Sequence, residues 1–268
     1  MKNFYLLLIL LFFISLRAFS QDQVEEKIVG EGFKYTSIYR PSGPFNIKVL
    51  EIDLSKPNVK IETVLAADEL GKGYEKTSIM AQRKSRNKHL VIGAINADFF
   101  GNNQPTNSMI INRQYAKGVW SNRSLFGVNS NNKPLIDVLS FSGSVFLKND
   151  TLIINGCNST RSENYLILYT AYNGSNTKTN QWGTEIKITP IETFNINQPI
   201  KYKVIQKESW KGAMSLSSDS YVLSGHGKNQ KLLDSLVNIG DTIQVNIGTN
   251  PNIGEIVNML GGGPRLLY

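Results

Sequence analysis

Phe45-Asn46-Ile47-Lys48-Val49-Leu50-Glu51-Ile52, followed after Lys56-Pro57-Asn58 by Val59-Lys60-Ile61-Glu62-Thr63-Val64, sets the kind of fold to expect. Apolar and polar residues alternate with a period of two, which puts one face of an extended chain in a core and the other in water. Ser42-Gly43-Pro44 opens the first run, and Pro57-Asn58 supplies a turn between the two, so the pattern predicts an antiparallel hairpin. Downstream, the same strand character returns at Met109 to Ile111, Leu125 to Val128, Val145 to Leu147, Leu152 to Ile154, Tyr165 to Tyr169, Glu185 to Ile188, Lys201 to Ile205, Tyr221 to Leu223 and Thr242 to Ile247, between turns rich in Asn, Gly and Ser. His89 to Ile95 reads as a buried strand. Two helices are expected. One runs from Thr77, placed as N-cap, to Lys88, with cations crowding its C-terminal turns, and one covers Lys231 to Val237, with Leu232, Leu233 and Leu236 on one face. The expected fold class is therefore α+β, a mostly antiparallel twisted sheet with one or two packed helices.

The first twenty of the 268 residues read as a secretory signal: Lys2, an apolar core from Phe4 to Leu16, then Arg17-Ala18-Phe19-Ser20 with small residues where a signal peptidase cuts. That core is shorter than the roughly 20 residues a membrane-crossing helix needs. Cleavage after Ser20, a soluble product in the periplasm or outside the cell, and no stable membrane insertion are the expectations. Residues 21–33 read as a polar entry segment and 34–268 as one domain. Loss of Lys2 and Arg17 lowers the formal charge from +8 to +6. The cations are scattered rather than clustered with aromatics, which speaks against nucleic acid as a partner. Cys157 is the single cysteine, so no internal disulfide can form and packing must carry the stability. With His89 and His226 both distant in sequence, a buried, idle thiol is expected.

Candidate chemistry gathers at a few places. Asn96 and Asp98 share a parity just past Ile95, and beside Phe99 and Phe100 they could bind sugar hydroxyls, hold a hard divalent cation or supply a general base. A turn in which both bond only their own backbone is the plainer reading. Gly261-Gly262-Gly263-Pro264-Arg265 offers successive N–H groups and a guanidinium to an anion, or else a bend where another part of the chain packs close. It is no P-loop, because no Lys-Ser/Thr follows. His226 lies between Gly225 and Gly227, and imidazole is the side-chain type suited to proton transfer near neutral pH. Asn107 and Glu185 are polar groups at strand entrances.

Taken in order, Ile95-Asn96-Ala97-Asp98-Phe99-Phe100, Trp182-Gly183-Thr184-Glu185-Ile186, Tyr221-Val222-Leu223-Ser224-Gly225-His226-Gly227 and Leu260-Gly261-Gly262-Gly263-Pro264-Arg265-Leu266-Leu267 resemble the phosphodiester glycosidase family. The resemblance spans residues from about 34 to 268. It implies hydrolysis of the glycosidic bond of a sugar-1-phosphodiester, the second alcohol keeping its phosphate. A phosphomonoester leaves with little need of protonation, so such a site chiefly holds phosphate and stabilises an oxocarbenium-like centre. On that resemblance Gly261, Gly262, Gly263 and Arg265 would hold the phosphate, and Asn96 and Asn107 the sugar hydroxyls. Asp98 would face the anomeric carbon as nucleophile, base or electrostatic stabiliser, with His226 or Glu185 assisting proton transfer. No cofactor is implied beyond the divalent cation already open at Asn96 and Asp98.

Members of that family usually continue past the triple glycine with an arginine-containing strand, a helix and a late Asp-Gly-Gly-Gly-Ser-like turn. The chain ends at Tyr268, so the domain is expected to be C-terminally incomplete, with a second carboxylate in the missing part. The competing expectation is a non-catalytic binder of glycans or phosphoglycans.

Overall fold

A computed structural model describes residues 21–148 and 150–263 of the chain; the expected signal peptide and Arg265 lie outside the described residues. The chain divides into two compact units, one formed by the chain up to Lys60 together with Ser85–Ala94, the other by Ile61–Lys84 and everything from Ile95 onward.

The first unit is a three-stranded antiparallel meander, β1 (Gln23–Gly30), β2 (Phe33–Arg40) and β3 (Phe45–Ile52). The alternation in 45–52 is a strand, as expected, but its partner is β2 rather than 59–64: Thr36 faces Val49 and Ile38 faces Ile47. The stretch 59–64 has no ladder, and neither does 90–95, where Leu90 and Ile95 stand more than 70 % exposed. The buried strand expected from His89 is replaced by a tight Arg86–His89 bridge with Lys88 in the left-handed region (φ 62°).

In the second unit, α1 (Thr77–Lys84) is followed by a short hairpin, β4 (Phe100–Gly101) and β5 (Gln104–Pro105). Then come β6 (Met109–Ile111), β7 (Gln114–Lys117), β8 (Ser124–Val128), β9 (Pro134–Val138), β10 (Ser140–Leu147), β11 (Asp150–Ile153), β12 (Gly156–Cys157), β13 (Leu166–Tyr169), β14 (Thr184–Pro190), β15 (Ile200–Ser209) and β16 (Tyr221–Gly225). The chain continues through α2 (Lys228–Leu236), β17 (Thr242–Asn250) and β18 (Asn258–Gly261). Eight strands form a curled sheet in the order β11-β10-β17-β15-β14-β16-β13-β12, antiparallel except for the last pair. Five form a second sheet in the order β7-β6-β18-β8-β9. A Gly118–Cys157 bridge joins their edges.

This corrects the α+β expectation. Strand accounts for 43 % of the fold and helix for 10 %, so the architecture is sheet-dominated. The reason is visible in the helices. The eight residues of α1 bury none of their side chains, and α2, at nine residues, contributes Leu233 and little else apolar to the interior. Neither is long enough to form a layer. The core is made by the sheet's own side chains: Ile186, Ile188, Tyr202, Val204, Leu223 and Val245 are at most 1 % exposed. On β13, Leu166 and Leu168 enter that core, while Ile167 and Tyr169 enter a second one on the opposite face with Val222 and Met214. Alternation thus buries both faces of this strand. Cys157 is buried and its thiol is pushed well above the usual range by desolvation, an inert packing group as expected.

Candidate functional site

Asp98 has φ 58°, so the chain leaves extended geometry there and the parity argument that paired it with Asn96 no longer applies. Asn96 is exposed and accepts a hydrogen bond from Thr77 Oγ1, whereas Asp98 turns to the end of the β4–β5 hairpin. Three donors meet its carboxylate: Phe99 N at 2.8 Å and Asn107 Nδ2 at 2.6 Å on Oδ1, and Asn107 N at 2.8 Å on Oδ2. Asn107 is fully buried, and its Oδ1 accepts from Ser121 Oγ at 3.0 Å. Its amide is thereby committed to orienting Asp98 rather than free to grip a ligand.

Gly261, at the end of β18, closes the same site. A methyl group on its Cα would lie 2.5 Å from Asp98 Oδ1 and 2.6 Å from Asn107 Nδ2, so only glycine fits. The first glycine of the triplet thus acts as a place of close approach. Gly262 N–H is taken by Ser124 O at 3.2 Å, which leaves it turned into the strand ladder rather than toward an anion, and Gly263 is exposed with φ 125°. Lys117 lies close enough to the carboxylate to feel its charge, and a second cation stacks on the neighbouring Phe99. Lys117 donates to Pro105 O at 2.6 Å; burial lowers the pKa of its ammonium and the charge of Asp98 raises it. The Arg123 guanidinium sits 4.9 Å from the centre of the exposed Phe99 ring.

Glu185 belongs to a different cluster, in the middle of the eight-stranded sheet. It is fully buried, accepting from Thr179 Oγ1 (2.9 Å) on one oxygen and from Met214 N (2.9 Å) and Thr177 Oγ1 (3.2 Å) on the other. Ser224 stands opposite it in the β14–β16 ladder and accepts from Arg161 Nη1 at 2.8 Å. Burial lowers the pKa of that guanidinium, and the negative charge of Glu185 works the other way. Thr184, next along β14, points to the other face, where its hydroxyl donates to Asp234 of α2 at 2.7 Å. His226 follows β16 and lines a cleft of about 380 Å³ with Trp182, Trp210 and Asp234. Strand parity therefore sets the two candidate proton-transfer groups apart: Glu185 faces away from α2, and His226 shares its cleft with α2.

The structure brings Asp98, Asn107 and Gly261 together, gives Glu185 its own buried network, and leaves Asn96 and His226 in other settings. Lys117, Arg123, Ser121 and Arg161 were not singled out by the sequence, since each is a lone polar residue in a loop or at a strand end. Thr177 and Thr179 gave no signal either, because Lys178 between them lies in the left-handed region (φ 56°) and strand parity does not reach from them to Glu185. Among the described residues there is no cluster of three or more His, Cys, Asp or Glu side chains that could hold a metal ion.

No family model matches the chain, and neither does any curated protein. Similar folds occur among solved structures. A hypothetical protein from Synechocystis superposes with a TM-score of 0.66 at 20 % identity, over 92 % of this chain and 46 % of that one. A candidate exported protein from Burkholderia pseudomallei K96243 superposes with a TM-score of 0.52 at 14 % identity, over 87 % of this chain and 50 % of that one. The chain spans about half the length of these structures, and at such identities the likeness is one of fold alone. No described helix is long and apolar enough to cross a membrane.

Proposed function

We propose that the chain is an exported hydrolase of sugar-1-phosphodiesters, acting in the periplasm or outside the cell, with its centre at Asp98. The observation that carries this reading is the convergence of Asp98 and Asn107 with Gly261, from the far end of the chain, beside the cation Lys117. A phosphodiester is anionic and its leaving group is a phosphate, so cations beside the scissile bond stabilise what develops as it breaks. Of the roles open to Asp98, electrostatic stabilisation of an oxocarbenium-like centre suits the geometry best. A carboxylate held by three donors is fixed in direction and has few lone pairs left for attack.

The secreted chain, incubated with a methyl sugar-1-phosphodiester, should release free sugar and methyl phosphate in equal amounts, and Asp98→Asn should lower the rate by about 10²-fold or more. No release of sugar, with or without added divalent cation, sinks the reading. A second reading, a phosphoglycan binder without turnover, is favoured by the same saturation of Asp98. It would give salt-sensitive binding of the diester that survives Asp98→Asn.

A further inference from the structure

The cleft beside α2 lies on the face of β14 opposite Glu185 and has no part in the hydrolysis proposed above. Its walls are two indoles. Trp182 precedes β14 and Trp210 follows β15, and because Thr184 pairs with Ser209, both project from the same end of that ladder. Their rings meet edge to face, 6.2 Å apart at 89°. The backbone fixes both: Trp182 N donates to Asn180 Oδ1 at 3.1 Å and Trp210 N to Gly183 O at 2.8 Å. Trp210 also sits at φ 56°, an outlier for so bulky a residue, of the kind that persists at ligand sites. Despite this anchoring the indoles are 52 % and 61 % exposed, flat apolar surfaces held out to water.

The floor is polar. Asp234 takes hydrogen bonds from Thr184 Oγ1 (2.7 Å) and Ser209 Oγ (2.5 Å), both on Oδ1. Gln230 is 95 % buried and lines the cleft, and its Nε2 amide has no acceptor among the described residues. A buried donor without a partner is rare and calls for an acceptor from outside. Lys231 and Asp234 contribute opposite charges, so the cleft carries no formal net charge apart from His226.

We infer that this cleft is a binding site for a neutral pyranose-based glycan. A pyranose ring has a face of C–H groups that packs on the negative face of an indole, and a rim of hydroxyls that both donate and accept. Here the indoles take the C–H face, the Asp234 carboxylate accepts from a hydroxyl, and a turn of the Gln230 side chain toward the cleft gives its buried Nε2 a hydroxyl oxygen. The volume lies within the range of about 300–1,000 Å³ typical of small-ligand sites. The balanced charge selects a neutral sugar over a phosphorylated one. Such a site would hold the chain to a polysaccharide whether or not the diester is cleaved.

The test titrates the secreted chain, by tryptophan fluorescence and calorimetry, with cellotetraose, maltotetraose, mannotetraose and chitotetraose, and with glucose 6-phosphate as the charged control. At least one neutral tetrasaccharide should bind saturably with a Kd of roughly 0.1–1 mM. Trp182→Ala, Trp210→Ala and Gln230→Leu should each weaken it by about 10-fold with the midpoint of urea unfolding unchanged for the exposed tryptophans, while Asp98→Asn leaves it intact. Absence of saturable binding by all four up to about 10 mM, or binding that survives both tryptophan substitutions, overturns the inference. Preference for glucose 6-phosphate overturns the assignment to a neutral ligand. Absence of diester hydrolysis by the parent chain, with tetrasaccharide binding present, would reject the hydrolase reading alone.

Discussion

Gly261 shows how much of the candidate site depends on the absence of one methyl group. An alanine there meets Asp98 Oδ1 and Asn107 Nδ2 at 2.5 and 2.6 Å, and neither can yield without breaking hydrogen bonds that hold the turn. We expect Gly261→Ala to destabilise the fold by about 1–3 kcal/mol, as overpacking does elsewhere, and to disrupt any activity that depends on Asp98. Gly262, whose missing side chain faces open space, is the control: Gly262→Ala should stay within about 0.5 kcal/mol of the parent. Urea unfolding measures both, and equal midpoints for the two variants would show that Asp98 is not pinned as described. At this scale the sequence was partly legible. Asp98 stood out just past an apolar run and Asn107 at a strand entrance, but their mutual bond depends on Asp98 entering the left-handed region, which no periodicity announces. The triple glycine was conspicuous for the right residue type and open to two readings, and close packing is the one seen at Gly261.

Among the elements, strands were the most legible because a period of two survives burial on one face. Every downstream run with that character lies in or overlaps a strand. The failures have common causes. Runs 59–64 and 89–95 carry apolar residues without ladder partners, and 23–30, 114–117, 134–138 and 258–261 are strands whose polar or short composition hid them. The helix expected from Thr77 begins there, but Lys76 O accepts its first hydrogen bonds, so Thr77 is not the cap; its hydroxyl goes to Asn96. It ends at Lys84, and Arg83 serves a purpose beyond the helix dipole. Its guanidinium spans both oxygens of Glu75 (2.9 and 2.8 Å), Leu65 O (3.2 Å) and Asp68, clamping the loop that carries two left-handed residues, Ala67 and Asp68. Arg83→Lys cannot reproduce that fork. Amide exchange across 65–75 should accelerate by about 10-fold at neutral pH, an opening that reflects lost local stability. The Arg83 hydrogen bond holds Glu75 below the usual carboxylate range, so its support is present above the unfolded-state pKa and lost as pH falls through the lower folded one. The difference between parent and variant should therefore vanish in acid. An exchange rate unaffected by Arg83→Lys at neutral pH would remove the clamp from the account.

At the scale of the whole molecule, burial is unequal between the two units. Within the first, Val59 is the one fully buried hydrophobic among the described residues, while Val24, Ile28, Phe45, Ile47 and Val49 are all more than a third exposed. A three-stranded sheet with so little interior draws its stability chiefly from its ladder, which is marginal in water without a packed face. In the second unit β13 and β16 are buried on both faces, and each fully buried Leu or Ile there contributes roughly 1.5–3 kcal/mol. Opening the first unit exposes little apolar surface, whereas opening the second exposes most of it, so the two should open with different free energies. Under native conditions the amides of β1, β2 and β3 should exchange at least about 10²-fold faster than those of β13, β14 and β16, and their rates should level off at far lower urea. Neither a disulfide nor any other crosslink through Cys157 is available to even out the difference, since the thiol is buried in the larger core. Peptide-resolved hydrogen exchange reads this directly. Matching protection in the two groups of strands would mean that the meander is stabilised by burial not evident in its own side chains, and that the chain opens as one cooperative body.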